Sequence, residues 1–288
     1  MKGKKCVVTG ANTGIGFETS KALASKGAEV IMVCRNEAKG RQALAAIREA
    51  TGNHQLQLIT ADLSSQRQIR EMAFTIREQH PVIDVLVNNA GTWVSDHSLT
   101  EDGIETVFAV NHLAYFLLTH LLYPAFIGAA DARVINVSSD SHFKGDMYFD
   151  DLNLTRNYHG LRSYGQSKLA NVLFTYEFDR RKPHAHVSIN AVQPGLVYTD
   201  IGLKNTNWVH ALAWKVRRSL WRGVSPAEGA ATSIYLASDP EISRESGKYW
   251  DKCQAKASSP DSYKEEDAGR LWEICERLCS IDDYFITG

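Results

Sequence analysis

A chain of 288 residues, 44% of them hydrophobic, can bury a sizeable core, and no proline- or glycine-rich linker, internal repeat or low-complexity tract divides it, so residues 1–288 read as one domain. Its 32 basic and 33 acidic side chains leave a formal net charge of -1, which offers no global field to attract nucleic acid. The five cysteines form no C-x-x-C pair and no apolar run approaches the roughly 18 residues of a membrane span, which argues against a full disulfide framework and for a reducing, cytoplasmic setting.

In chain order, Lys4 to Val8 reads as a short buried strand that runs straight into Thr9, Gly10, Ala11, Asn12, Thr13, Gly14, Ile15 and Gly16, and a helix follows from about Gly16 to Lys26. Strand, glycine turn and helix are the context of a dinucleotide fingerprint. Glycines let the backbone approach a pyrophosphate, and the helix N-terminus supplies unpaired amides and partial positive charge. The spacing here is G-x-x-x-G-x-G, and a glycine cluster alone also serves as a plain tight turn. A second strand, Glu29 to Cys34, ends where an adenine ribose lies in a doubly wound fold. A carboxylate there would repel a 2'-phosphate, whereas this chain has Arg35 and no acid until Glu37, which favours NADP(H) over NAD(H). The competing reading of Arg35 is a solvated surface cation. After a helix at Glu37 to Thr51 and a strand at Leu56 to Thr60, Asp62 is placed to accept from an adenine amino group.

A helix at Ser65 to Gln79, a strand at Asp84 to Asn88, a long apolar helix at Val107 to Ala125 and a strand at Arg133 to Val137 come next. A helix carrying Tyr164 then extends to about Arg180, followed by a strand at Val187 to Val192 and helices at about Pro226 to Ala237 and Ser262 to Cys279. This alternation predicts an α/β single-domain Rossmann fold, a doubly wound parallel sheet of about seven strands with helices on both faces. Ligands of such sheets bind beyond the carboxyl ends of the strands. The glycine turn, Asp62, the turn from Asn88 to Gly91, Ser138 with Ser139, and Pro194 with Gly195 all fall there.

Tyr164 and Lys168 stand four residues apart, where a helix turns both side chains the same way, so a phenol proton donor has a cation beside it. The bland alternative is a tyrosine packed on the sheet next to a solvated lysine; the serine pair and the glycine turn in the same chain argue against it. Histidines are scattered and His184 with His186 is the nearest to a ligand pair, so no metal site is expected.

Taken together, the glycine turn, Asn88 to Gly91, Asn111, Ser138 with Ser139, Tyr164 to Lys168 and Pro194 with Gly195 resemble the short-chain dehydrogenase/reductase family over nearly the whole chain. Cys34 to Asn36, Asp84 to Gly91, Val110 to His112, Phe116 to Leu122, Ser167 to Asn171 and Ser246 to Trp250 are most similar to its retinol dehydrogenase group, which acts on retinoids, prefers NADP(H) and commonly carries an N-terminal membrane anchor. Here the basic start leads directly into the first strand, a departure from that pattern. The resemblance implies that Tyr164 exchanges a proton with the substrate oxygen and that Ser139 hydrogen-bonds the same oxygen, Ser138 pointing the other way. It further implies that Lys168 binds the nicotinamide ribose and lowers the phenol's pKa, and that Asn111 holds a water linking Lys168 to solvent. Gly10, Asn12, Thr13, Gly14, Ile15, Gly16, Arg35, Asn36, Asp62, Leu63, Asn89, Ala90, Gly91, Tyr164, Lys168, Pro194, Gly195, Val197 and Thr199 would line the cofactor.

The implied substrate is an apolar alcohol or carbonyl compound, foremost retinol or retinal. A broad carbonyl reductase for aldehydes, steroids or quinones uses the same proton and hydride relay and is the alternative. Residues 199–223, with Trp208, Trp214 and Trp221 among Lys215, Arg217, Arg218 and Arg222, suit a substrate lid or a peripheral membrane contact. Ser139 and Tyr164 stand 25 positions apart, and the stretch from Ser141 to Gly160 reads as an insertion at the pocket rim or a surface excursion. The long helices beginning near Val107 and Leu161 resemble the family's homodimer surface.

Overall fold

In a computed structural model, which describes residues 1–195 and 224–286, the chain forms one eight-stranded sheet covered by helices. Its strands are β1 (Lys5–Thr9), β2 (Glu29–Cys34), β3 (Leu56–Thr60), β4 (Val85–Asn88), β5 (Ala132–Val137), β6 (Val187–Gln193), β7 (Lys248–Asp251) and β8 (Gln254–Lys256), ordered β3-β2-β1-β4-β5-β6-β7-β8. All neighbours pair in parallel except β7 with β8. The central strands β4, β5 and β6 are buried at every position, the mark of a sheet covered on both faces. The order reverses between β1 and β4, and both strands end there in polar turns. That is the crevice where ligands of such sheets sit.

The eighth strand exceeds the sequence expectation for a physical reason. Its three residues are all exposed, so no apolar pattern marks them, and the turn that reverses the chain uses Lys252 and Cys253 at φ 51° and 59° in place of the usual asparagine or glycine. The amide of Cys253 donates to Thr232 Oγ1 at 3.2 Å, which helps hold this unfavoured backbone.

The helices are α1 (Gly14–Ser25), α2 (Glu37–Thr51), α3 (Gln66–Gln79), α4 (Thr106–Ile127), α5 (Gly160–Arg181), α6 (Pro226–Ser238) and α7 (Glu265–Leu278). By length and composition α4 could cross a membrane, yet 83% of its apolar window is buried inside the fold. Sheet and α7 explain this. Phe116, His120 and Tyr123 of α4 and Phe174 and Phe178 of α5 pack on Trp272, Tyr284 and Phe285, with ring centroids between 4.4 and 6.0 Å across Phe116–Tyr284, Phe116–Trp272, Phe174–Trp272 and Trp272–Tyr284. Tyr284 also donates from its hydroxyl to the carbonyl of Phe116 at 2.7 Å. The paired helices expected to present a dimer surface are thus covered by the chain's own C-terminal segment. One turn of α4, Ala109–Leu113, is π-helical, and it contains Asn111. Such single wide turns inside helices recur at functional sites.

Candidate active site

The turn between β1 and α1 is shaped by what its glycines lack. Gly10 and Gly14 take φ of 66° and 58°, where a side chain is strained. A Cβ at Gly16 would lie 2.3 Å from the carbonyl oxygen of Gly10 and 2.5 Å from Nδ2 of Asn89. Among the described residues no side chain caps the start of α1, and its first turn holds no acid. The result is an open helix N-terminus facing a backbone cradle, which fits a dinucleotide phosphate. Thr9 locks this turn to the neighbouring one: its hydroxyl accepts from the amides of Asn89 and Ala90 at 2.9 and 3.0 Å, while Asn89 Nδ2 donates to the Thr9 carbonyl at 2.7 Å.

Across the switch point, Tyr164 and Lys168 lie on α5, and Ser139 follows β5. The Ser139 hydroxyl lies beside the Tyr164 phenol, near enough to influence its titration. Its Oγ also accepts from the amide of Ser141 at 3.2 Å, capping the 3-10 turn Asp140–Lys144. Ser138 faces the opposite way and donates to the carbonyl of Lys168 at 2.8 Å. Lys168 Nζ donates to the carbonyl of Val137 at 2.9 Å and sits 5.4 Å from the Tyr164 ring centroid and 5.9 Å from that of Tyr115. Only 3% of this lysine is exposed, so desolvation lowers its pKa to about 7. Burial also pushes the Tyr164 phenol up to about 12, against the lowering influence of the Ser139 hydroxyl beside it. Lys168 Nζ, bonded to the Val137 carbonyl, makes no hydrogen bond to the phenol among the described residues.

Asn111 is fully buried and engaged. Its Oδ1 accepts from the Thr92 amide at 2.7 Å, and its Nδ2 donates to the Thr92 carbonyl and to Ser167 Oγ at 3.0 and 3.1 Å. It therefore ties the loop after β4 to the helix that carries Tyr164. Two further residues brace the site, one at the helix that carries Tyr164 and one at the turn that carries Ser139. Glu105, wholly buried, accepts from the amides of Val107 and Phe108 at the start of α4 and from Ser163 Oγ at 2.7 Å, one residue before Tyr164. His142, also wholly buried, lies 2.7 Å from the Ser139 carbonyl through Nδ1 and accepts the Ser259 amide through Nε2 at 3.0 Å.

At the adenosine end, Arg35 extends from β2 with its side chain 70% exposed and a guanidinium nitrogen 3.8 Å from Asp62 Oδ2. Asp62 Oδ1 is held by the amide and hydroxyl of Ser64 at 3.0 and 2.8 Å. Asn36 Oδ1 accepts from the Lys39 amide and so caps α2. Leu63 turns its side chain into the core. Ala90 offers its carbonyl to the Tyr115 hydroxyl at 2.7 Å, and Gly91 is exposed beside it. Gly195 has φ of 77° directly after β6 and Pro194. Val197, Thr199 and residues 199–223 lie outside the described residues.

The stretch from Ser141 to Gly160 is fastened to α5 and not merely looped out. Gln166, inside the Tyr164–Lys168 interval, accepts from the Tyr148 amide and donates to the Leu152 carbonyl, both at 3.0 Å. Gly145 and Gly165 touch so closely that a Cβ on Gly145 would lie 2.3 Å from the Gly165 carbonyl oxygen. Thr9 and Gln166 sit inside the glycine turn and the Tyr164–Lys168 interval without a role that the sequence announces, and Tyr115, Glu105 and His142 have no motif of their own. Only Glu105 leaves a trace, as an acid immediately before a long apolar helix.

Comparison with known proteins agrees with this geometry. A family model described as short chain dehydrogenase matches residues 4–210. The chain is 42% identical over 287 residues to retinol dehydrogenase 13 of Homo sapiens, covering 98% of this chain and 86% of that protein. It is 40% identical over 285 residues to the WW domain-containing oxidoreductase of Pongo abelii, covering 96% of this chain and 68% of that protein. Among solved structures, a protein from Mycobacterium Paratuberculosis matches with a TM-score of 0.77 at 30% identity, covering 97% of this chain and 94% of the other.

Proposed function

Because the chain belongs to the short chain dehydrogenase family and groups with its retinol dehydrogenases, we propose that it is an NADP(H)-dependent oxidoreductase acting on a bulky apolar alcohol or aldehyde, foremost retinol or retinal. The observation that carries this reading is the convergence of Ser139, Tyr164 and Lys168 across the sheet's switch point from the uncapped start of α1. When bound, the nicotinamide supplies or accepts the hydride. Everything else falls to side chains. Gly10, Gly14 and Gly16 leave room for the pyrophosphate, and Arg35 is the cation positioned for a 2'-phosphate.

A carbonyl oxygen that gains charge needs a donor in place at that moment. Ser139 and Tyr164, side by side, would both donate to that oxygen, and the phenol would transfer its proton there as the oxygen gains alkoxide character. At neutral pH that phenol carries the proton that reduction consumes, and the net direction follows the NADPH/NADP+ ratio. Lys168, aimed at Val137 without cofactor, would bind the nicotinamide ribose. The retinoid assignment rests on the 37–42% identity to retinol dehydrogenases 12, 13 and 14. Since α7 covers the outer side of α4 and α5, we read the protomer as one that does not dimerise through that face.

The test is initial rates of NADPH and NADH oxidation with all-trans-retinal, medium-chain aldehydes, steroid ketones and quinones, alongside Tyr164→Phe. Efficient retinal reduction with NADPH, lost in the variant by about a hundredfold or more, is the expected result. Rapid turnover of the other carbonyls without retinal would move the protein to the broad carbonyl reductases, and full activity of Tyr164→Phe would overturn the proton donor.

A further inference from the structure

Behind the reactive lysine runs a buried chain of hydrogen bonds that the reaction itself does not require. Asn171 lies three residues after Lys168 on α5 and is wholly buried. Its Nδ2 donates to the carbonyl of Asn111 at 2.8 Å and to that of Val137 at 3.3 Å. The second of these is the carbonyl that also receives Lys168 Nζ. The first is available because the π-helical turn at Ala109–Leu113 offsets the backbone ladder of α4 just where Asn111 sits.

The protons along the chain can be assigned. With its amide nitrogen donating twice, Asn171 presents Oδ1 as an acceptor, 3.0 Å from His112 Nδ1, which is therefore the protonated nitrogen. His112 is wholly buried and its pKa is lowered to about 4 by desolvation, so it is neutral and Nε2 is an acceptor. Facing Nε2 at 3.4 Å is Cys275 Sγ of α7, whose burial raises its pKa and keeps it a thiol donor. Donation thus runs in one direction, from Cys275 to His112 to Asn171 to the two carbonyls. Each of these groups is buried, where an unpaired partner is costly, so the set is locked as a unit.

We propose that Asn171, oriented by His112, is a positioning residue that fixes the Val137 and Asn111 carbonyls and through them the place and protonation of Lys168. The inference rests on the reading that Tyr164 and Lys168 carry the proton and cofactor chemistry. It explains why a side chain on α5 reaches past the lysine to α4 and, through His112, is tied to α7. The groups that face Lys168 are Tyr115, Tyr164 and His112, and among the described residues no carboxylate pairs with it. Any shift in its titration on changing Asn171 therefore reports the rearranged carbonyls or the new side chain.

Asn171→Ala, Asn171→Ser, Asn171→Asp and His112→Phe would be compared with the wild-type protein and Tyr164→Phe. Two readouts apply: the pH profile of kcat and KM in carbonyl reduction, and competitive acylation of Lys168 against pH in the cofactor-free protein, read by mass spectrometry. We expect Asn171→Ala and His112→Phe to lower kcat roughly ten- to a hundredfold with KM for the carbonyl changed less than about threefold, as for a misplaced reacting group. Asn171→Ser, which keeps one donor, recovers part of kcat. Asn171→Asp, which keeps the shape but replaces donors by an anion, raises the labelling midpoint of Lys168 by about one unit or more. Wild-type kcat profiles and an unmoved Lys168 midpoint in all folded variants would overturn the proposal. If Asn171→Ala does not fold, His112→Phe and Asn171→Asp decide it by the same criteria. Activity retained in Tyr164→Phe would sink the underlying functional reading instead, and the labelling midpoint would still decide the role of Asn171.

Discussion

The glycine turn at the start of α1 and the pocket around Lys168 lie on either side of one crevice and are built in opposite ways. In the turn, function comes from absent side chains: Gly10, Gly14 and Gly16 clear space, and no cap closes the helix N-terminus. In the pocket, function comes from side chains that bond to one another, with Asn111, Ser139, Asn171, His112 and Cys275 contributed by four separate elements. The first arrangement tolerates almost no addition and the second almost no deletion. Substitutions that add atoms to the turn or remove them from the pocket are therefore the sharpest way to break each.

The largest effect belongs to the turn. Gly16→Val places a branched side chain where even a Cβ would lie 2.3 Å from the Gly10 carbonyl oxygen and 2.5 Å from Asn89 Nδ2. Backbone cannot yield as a flexible side chain does, so the β1–α1 turn must open. NADPH binding is expected to vanish in a fluorescence titration, with stability reduced by about 3 kcal/mol or more in urea. Unchanged affinity would mean that the cofactor does not use this cradle.

This difference in construction also explains what could be read from the amino acids alone. The turn is contiguous, from Thr9 to Gly16, and its glycines announce a backbone conformation directly, so it is visible without knowledge of the fold. The alternation of apolar runs and helical patterns exposes the doubly wound sheet for the same local reason. Tyr164 and Lys168 are legible because one helix carries both. By contrast, Glu105 meets Ser163 across 58 positions, His142 meets Ser259 across 117 and His112 meets Cys275 across 163, and nothing in their immediate neighbours signals a partner. The π-helical turn is equally silent, since Ala109 to Leu113 has ordinary helical residues. Even the antiparallel β8 escapes, because its exposed residues obey the hydrogen bonds of β7 and not a hydrophobic pattern.

A pH experiment sharpens the pocket side. His112 is neutral in the fold until about pH 4, while an unfolded histidine takes its proton near 6.5. Between those values the unfolded chain binds more protons, so stability is complete above about 6.5 and falls as the pH is lowered toward 4. One such group contributes up to about 3 kcal/mol over that window. Burial lowers the pKa of His80, His120 and His142 as well, and these add slope of the same sign. Urea unfolding at pH 7, 6, 5 and 4.5 should give a shallower loss for His112→Phe than for the wild-type chain, whatever its absolute stability at pH 7. A wild-type slope in the variant would show that His112 is protonated in the fold and that the proton assignment along the chain to Asn171 is wrong.

The smallest effect expected lies at the exposed end of β2, where cofactor choice would be made. Arg35 is 70% exposed and, among the described residues, pairs with Asp62 at 3.8 Å, so its contact with a 2'-phosphate would be charge-assisted but open to water and salt. Such a contact is worth about 1.5 kcal/mol, or roughly tenfold in affinity. Arg35→Ala should weaken NADPH about tenfold at low ionic strength and leave NADH within about twofold, and the gap should narrow in 0.5 M salt, where the Debye length falls to about 4 Å. Arg35→Asp goes further by placing a carboxylate that would accept from a ribose 2'-hydroxyl and repel a 2'-phosphate, and it should invert the preference. Equal losses for both cofactors would mean that Arg35 only stabilises the end of β2. No loss for either would make it the solvated surface cation that its exposure also permits, and the choice of cofactor would then rest on the carboxylate of Asp62 and the amide of Asn36.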